Sequence, residues 1–282
     1  MVRLGNQGPK NRWFSGRLPF TDARDALRGR RRMLWTILLA AGGLYAAVAL
    51  FFFVFQRSFL YRPTPQTGDH ASAIPLERPG ATVLVSCQQR QGPQALLFFG
   101  GNAEDVAITV PKLADLFPDR SIYGLHYRGY SGSSGRPSEP ALRGDAAAVF
   151  AMVHQRHADV MLMGRSLGSS LAVGLAAEKP VSRLVLIAPF ESIQRIAQRT
   201  APFLPMGLLL NDCYESWRYA PQVTCPTLLL AASDDEIVPM ADTERLFEAF
   251  PPGIATLRVM PGTDHNTVAS VPAFYEALQS EW

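Results

Sequence analysis

Residues 160–178 read VMLMGRSLGSSLAVGLAAE, and this stretch decides the fold. The first four residues are all apolar, as expected of a strand buried on both faces. The last ten, SSLAVGLAAE, are mostly small or apolar and read as a helix. Between them lies Gly164-Arg165-Ser166-Leu167-Gly168, a G-x-S-x-G pattern in strand–turn–helix context. The context carries more weight than the pattern, because Gly and Ser are common residues. A serine at such a turn sits on sharply bent backbone, where side chains on the flanking positions would collide with neighbouring main chain. The turn lifts the hydroxyl into a cleft and aims the N–H of Leu167 at charge developing on a bound carbonyl. Ser166 is the candidate nucleophile.

Outward from this turn, apolar runs of strand length alternate with helical patterns. Strands are predicted over 82–86, 95–99, 121–125, 160–163, 183–187, 227–231 and 256–260. Helices are predicted over 104–117, 139–154, 166–178, 240–250 and 271–281, with Pro111 kinking or delaying the first. Such alternation builds an α/β domain, a mostly parallel sheet with helices on both faces. Ligands in these sheets bind beyond the carboxyl ends of the strands, so the loops after the strands are where chemistry is expected.

A serine needs a base. Of the five histidines, His70, His126, His154 and His157 precede Ser166, and only His265 follows it, in PGTDHNTV between the last strand and the last helix. His265 is the candidate base. The acid that orients it belongs after strand 227–231, in Ser233-Asp234-Asp235-Glu236-Ile237-Val238-Pro239. Asp235 is the first choice and Asp234 the second. Glu236 reads as a solvated loop acid, and Glu191, after an earlier strand, is a distant alternative. After strand 95–99 come Gly100-Gly101-Asn102-Ala103, glycines that let backbone approach a substrate. The N–H of Asn102 is expected to join that of Leu167 as an oxyanion donor. No metal or organic cofactor is expected. His154 and His157 lack a third ligand and read as a helix end, and the absence of C-x-x-C argues against a zinc ribbon or dithiol redox site. Cys213 and Cys225 are compatible with a disulfide in an oxidising compartment or with buried free thiols; Cys87 is left over.

The net charge of +3 averages two unlike parts. Residues 1–32 carry nine basic and two acidic residues, a net +7; the remainder is at −4. A nucleic-acid partner is therefore not expected, since the positive charge sits in the tail. Residues 33–55, MLWTILLAAGGLYAAVALFFFVF, are uncharged. Twenty-three residues at ~1.5 Å each span roughly 34 Å, enough for a hydrocarbon core of about 30 Å. The run is longer than a signal-peptide core and FQRSFLYRP follows without a cleavage site, so an uncleaved transmembrane helix is expected. The positive-inside rule puts residues 1–32 in the cytoplasm and the rest across the membrane, the periplasm if the source is bacterial. The organisation read from sequence is a basic tail (1–32), a membrane helix (33–55), an extended Pro-rich link (56–80) and a catalytic domain (81–282).

Taken together, FFGGNAEDV, YRGYSGSSGRPSE, GRSLGS, APFESI, DDEIVP and PGTDHN resemble the α/β-hydrolase superfamily in order and spacing, over about residues 57–282. They look most like its single-pass, membrane-anchored branch, which includes serine-hydrolase, protein-depalmitoylating and serine-aminopeptidase-like members. The resemblance implies the α/β-hydrolase fold, a Ser166–Asp235–His265 triad, oxyanion donors at Asn102 and Leu167, and a small-molecule or lipid-like acyl substrate. One departure stands out: where the family usually reads His-Gly-Asn, this chain has Gly100. An ester, thioester or amide substrate fits equally, and an acyltransferase or a non-catalytic scaffold is the rival reading. The apolar stretch 201–210 either shapes an acyl-binding groove or packs on the sheet.

Overall fold

The computed structural model describes residues 23–69 and 72–280; most of the basic tail (1–22), His70 and the last two residues lie outside the described residues. The chain forms two compact units, residues 1–51 and 52–282. Helix α1 (Ala23–Leu60) begins in the first and ends in the second. It is longer than the 33–55 run because the flanking Arg-rich and Gln56–Leu60 segments hold no proline and enough good helix formers to carry Gly29. Its apolar stretch is long enough to cross a membrane.

The eight strands among the described residues belong to the second unit: β1 (Ile74–Arg78), β2 (Ala81–Gln88), β3 (Gln94–Phe99), β4 (Ser121–Leu125), β5 (Asp159–Arg165), β6 (Arg183–Ile187), β7 (Thr227–Ala232) and β8 (Ala255–Met260). They form one sheet in the order β1-β2-β4-β3-β5-β6-β7-β8. β1 and β2 are antiparallel additions at one edge, and from β4 to β8 every pairing is parallel. The seven strands read from sequence are present with ends shifted by at most two residues. β1 is the addition. It lies in the stretch whose Pro75, Glu77 and Arg78 read as link, and an edge strand tolerates proline because one side makes no ladder. The rest of that stretch is not free either: Tyr61 is buried, and Thr67 and Gly68 bond Asp105.

Six principal helices accompany the sheet: α2 (Val106–Leu116), α3 (Glu139–His154), α4 (Leu167–Glu178), α5 (Ile193–Thr200), α7 (Met240–Glu248) and α8 (Pro272–Ser280), with the one-turn α6 (Met206–Leu209) after α5. Side chains of alternate parity enter two cores, one on each face. Leu97, Phe99, Leu162 and Leu186 join Leu142 and Val149 of α3, Leu171 and Leu175 of α4 and Leu246 of α7. Leu96, Phe98, Met161 and Met163 join Val106 and Val110 of α2 and Phe274 and Leu278 of α8. Burial on both faces is why the central strands are apolar at every position. Pro111 stays inside α2. The three cysteines are free thiols, with Cys225 buried.

Candidate active site

β5 ends at Arg165 and α4 begins at Leu167, leaving Ser166 alone on the turn at φ 49°, ψ −115°. A non-glycine residue there carries strain of about 1–3 kcal/mol, which the surroundings must hold. They do so through Ser166 N–H donating to Ile187 O (2.8 Å), and Ser169 N–H and Oγ both donating to Ser166 O. The flanking glycines are obligatory. A Cβ on Gly168 would lie 2.1 Å from Phe99 O, and one on Gly164 would lie 2.5 Å from Gly168 O. Their absence lets the elbow press against the loop after β3, so that a Cβ on Gly101 would stand 3.7 Å from Ser166 Cβ.

His265, after β8, meets Ser166 and Asp235 on opposite sides of its ring. Nε2 is 2.9 Å from Ser166 Oγ, and Nδ1 is 2.7 Å from Asp235 Oδ2. A carboxylate only accepts, so Nδ1 carries the proton and Nε2 is left as acceptor for the serine hydroxyl. The other Asp235 oxygen accepts the N–H groups of Ile237 (2.9 Å) and Val238 (2.7 Å), which fix the carboxylate from behind. Asp235 and His265 are each 8 % exposed. Of the competing acids, Asp234 and Glu236 face solvent, and Glu191 is engaged by Arg245 and Arg195. The loop holding His265 is shaped by Asp264, which accepts Asn266 N–H (2.8 Å), Thr267 N–H and Thr267 Oγ. The Thr267 hydroxyl first, then those amides, hold the Asp264 carboxyl below its usual range.

Asn102 follows Gly101 in the loop after β3, and the sequence left its side chain unexplained. Its Nδ2 donates to Leu60 O (2.6 Å), and its Oδ1 accepts Arg62 N–H (2.9 Å) and Tyr130 O–H (2.7 Å). The loop is thereby tied to the end of α1. Burial pushes the Tyr130 phenol up to about 12, which keeps it a donor. Tyr127 O–H donates to Gly100 O (2.7 Å). At Gly100 a Cβ would fall 2.7 Å from Val106 Cγ1, so glycine here matches close packing by α2. Backbone N–H groups of Asn102 and Leu167 find no acceptor among the described residues. At Leu167 the reason is general: a first helical N–H has no intrahelical partner, and the Ser166 side chain does not cap it.

A clamp not evident from the sequence joins three of the four loops, the elbow, the loop after β3 and the loop holding His265. Arg165 Nη1 is 3.2 Å from Glu104 Oε2, and its Nη2 reaches His265 O (3.3 Å) and Asn266 Oδ1 (3.5 Å). Glu104 in turn accepts Gly101 N–H (2.7 Å) and Thr109 Oγ (2.6 Å). The available signal was a charged residue in the variable position of G-x-S-x-G. The YRGYSGSSGRPSE motif proves architectural: Arg128 forks onto the buried Asp145, and Glu139 accepts Cys213 N–H and Tyr214 N–H. His157 bonds Tyr123 and Gly92 O. No group of three metal-ligating side chains occurs among the described residues.

The chain has the α/β-hydrolase fold. It is 33 % identical over 249 residues to the uncharacterized protein Rv2307c of Mycobacterium tuberculosis, covering 82 % of this chain and 86 % of that one. It is 31 % identical over 191 residues to the alpha/beta hydrolase domain-containing protein aho-3 of Caenorhabditis elegans, covering 66 % and 56 %. Among solved structures its fold is similar to an esterase from Pyrococcus furiosus (TM-score 0.61, 12 % identity, 78 % and 96 % covered). It is also similar to mouse alpha/beta hydrolase domain-containing protein 10 (TM-score 0.56, 19 % identity, 73 % and 95 % covered). No family model matches the chain.

Proposed function

We propose that this chain is a membrane-anchored serine hydrolase that cleaves an ester, thioester or amide through an acyl-enzyme on Ser166. The observation that carries this reading is the continuous hydrogen-bonded path Ser166–His265–Asp235 with the serine on a strained turn. His265 Nε2 takes the proton as Ser166 Oγ bonds to the acyl carbon. The carbonyl oxygen becomes an oxyanion, held by the N–H groups of Leu167 and Asn102. Collapse expels the leaving group, which takes the proton from Nε2, and water repeats the cycle to release the acid. Asp235 holds the imidazole in the required tautomer and stabilises it when charged.

The test is turnover of 4-nitrophenyl esters and acyl thioesters of graded chain length by the full chain in detergent. The free acid should appear as product, and His265→Ala should remove roughly four to six orders of magnitude in kcat. Near-normal turnover by this variant overturns the assignment. Transfer of the acyl group to an added acceptor with no acid formed would make the protein a transferase.

Residues 33–55 are proposed to span the membrane, with residues 1–32 cytoplasmic and the domain on the opposite side. The support is the length of α1 and the +7 tail. Protease added to spheroplasts should digest the domain; a domain cut only after lysis reverses the orientation.

A further inference from the structure

We propose that the segment 202–208, between α5 and α7, is a second membrane-contacting element, seated in the headgroup layer beside the end of α1. The proposal rests on the membrane-anchor reading above. Residues 201–210, APFLPMGLLL, contain no charged or hydrogen-bonding side chain. Leu204 and Met206 are buried and fasten the segment to the domain, while Phe203 and Leu208 turn outward at 68 % and 84 % exposure. Leu208 is the most exposed large apolar side chain described. Exposed apolar surface of this kind is ordinarily covered by something.

The occupant is identified by what the segment is bonded to. Gln56 is the first residue after the apolar run. Its Nε2 donates to Leu209 O (3.0 Å) and its Oε1 accepts Asn211 N–H (2.7 Å). Arg57 Nε then donates to the buried Asp212 (2.8 Å). Residues 209–212 are thus fixed against the first two positions beyond Phe55. At ~1.5 Å per residue these lie about 3 Å past the hydrocarbon edge. The headgroup layer is roughly 5–7 Å thick on each side. Leu208, one residue away from the Leu209 carbonyl, falls within that layer, where an uncharged apolar segment is at home. A bilayer is already required there by α1, whereas a protein partner would have to enter the same layer. The consequence for the site is proximity. Leu60 O, bonded to Asn102, is five residues beyond Phe55, about 7.5 Å along the helix, so the proposed oxyanion loop opens at the membrane surface.

The experiment uses the full chain at one copy per phosphatidylcholine nanodisc, with a photo-crosslinking residue introduced as Leu208→p-benzoylphenylalanine, and likewise at Leu44 in the apolar run and Gly253 in an exposed turn. After irradiation, mass spectrometry reads phospholipid adducts. Leu44 and Leu208 should both form them, with yields at Leu208 several-fold above those at Gly253. Adducts at Leu44 but not Leu208 leave the anchor standing and overturn this proposal. Adducts at neither overturn the anchor reading with it. Equal adducts at all three, or adducts of Leu208 to protein instead of lipid, also overturn it.

Discussion

Asp105 joins the loop after β3, helix α2 and the chain leaving α1, and its removal has a calculable cost. Oδ1 caps α2 by accepting Ala107 N–H (3.1 Å). Oδ2 accepts Thr67 N–H (2.9 Å), Gly68 N–H (2.9 Å) and Thr67 Oγ (3.0 Å). In Asp105→Ala the lost cap costs about 1 kcal/mol. The Thr67 and Gly68 amides, partly reachable by water, cost about 1 kcal/mol each, the low end for a donor left unpaired, and the Thr67 hydroxyl turns to solvent at little cost. The total is about 3 kcal/mol. For a domain of this size that is a fall in Tm of roughly 9 °C. Burial alone would raise the Asp105 carboxyl; the bonds from Thr67, Gly68 and Ala107 outweigh it and hold the group well below the usual range. A depressed pKa stabilises the fold above the unfolded value of about 3.9, and that contribution disappears as pH falls through the folded value. Thermal unfolding of wild type and Asp105→Ala from pH 7 to pH 2.5 is the assay. The gap in Tm should be constant above about pH 5 and narrow below about pH 4. A gap under 2 °C at pH 7, or one that persists undiminished at pH 2.5, refutes the reasoning.

Asp235→Asn should lower kcat by about three to four orders of magnitude, because an amide nitrogen facing Nδ1 favours the wrong tautomer, while Asp234→Asn should change it less than about threefold; equal losses in the ester assay would show the wrong acid was chosen. Gly168→Ala forces a Cβ against Phe99 O and should cost about 4 kcal/mol or more, so a melting curve close to wild type would contradict the packing at the elbow. Burial pushes the Cys225 thiol up to about 11, so an alkylating reagent at pH 8 should modify Cys225 only on unfolding; mapped modification in the folded protein would count against this burial.

What was legible in the sequence follows from local physics. β3, β5, β6 and β7 announced themselves because both faces are buried. The elbow announced itself because its two glycines flank the serine between an apolar strand and a helix, although the clash that dictates Gly168 is with Phe99 on the distant strand β3. β1 was not legible, since an edge strand of five residues has only alternate positions to bury and accepts Pro75, Glu77 and Arg78. Residues 61–69 look like a link because they are polar and Pro-rich, yet their hydrogen bonds go to Asp105, Ser131 and Asn102, about 40 to 70 residues away. The Arg165–Glu104–Gly101 clamp escaped for the same reason: its members are ordinary surface residue types, and only the fold brings them together. α6 was hidden inside the apolar stretch 201–210 and α5 in the polar residues just before it, because a short helix carries too few turns for its period to show.

Labelling by a fluorophosphonate probe measures directly whether Ser166 is an activated nucleophile. The full-length wild type in native membranes should be labelled, with the modified peptide mapping to Ser166. Ser166→Ala should melt at nearly the wild-type temperature and take up no probe. Undiminished labelling of Ser166→Ala, or a folded wild type that takes up none, would contradict Ser166 as the nucleophile.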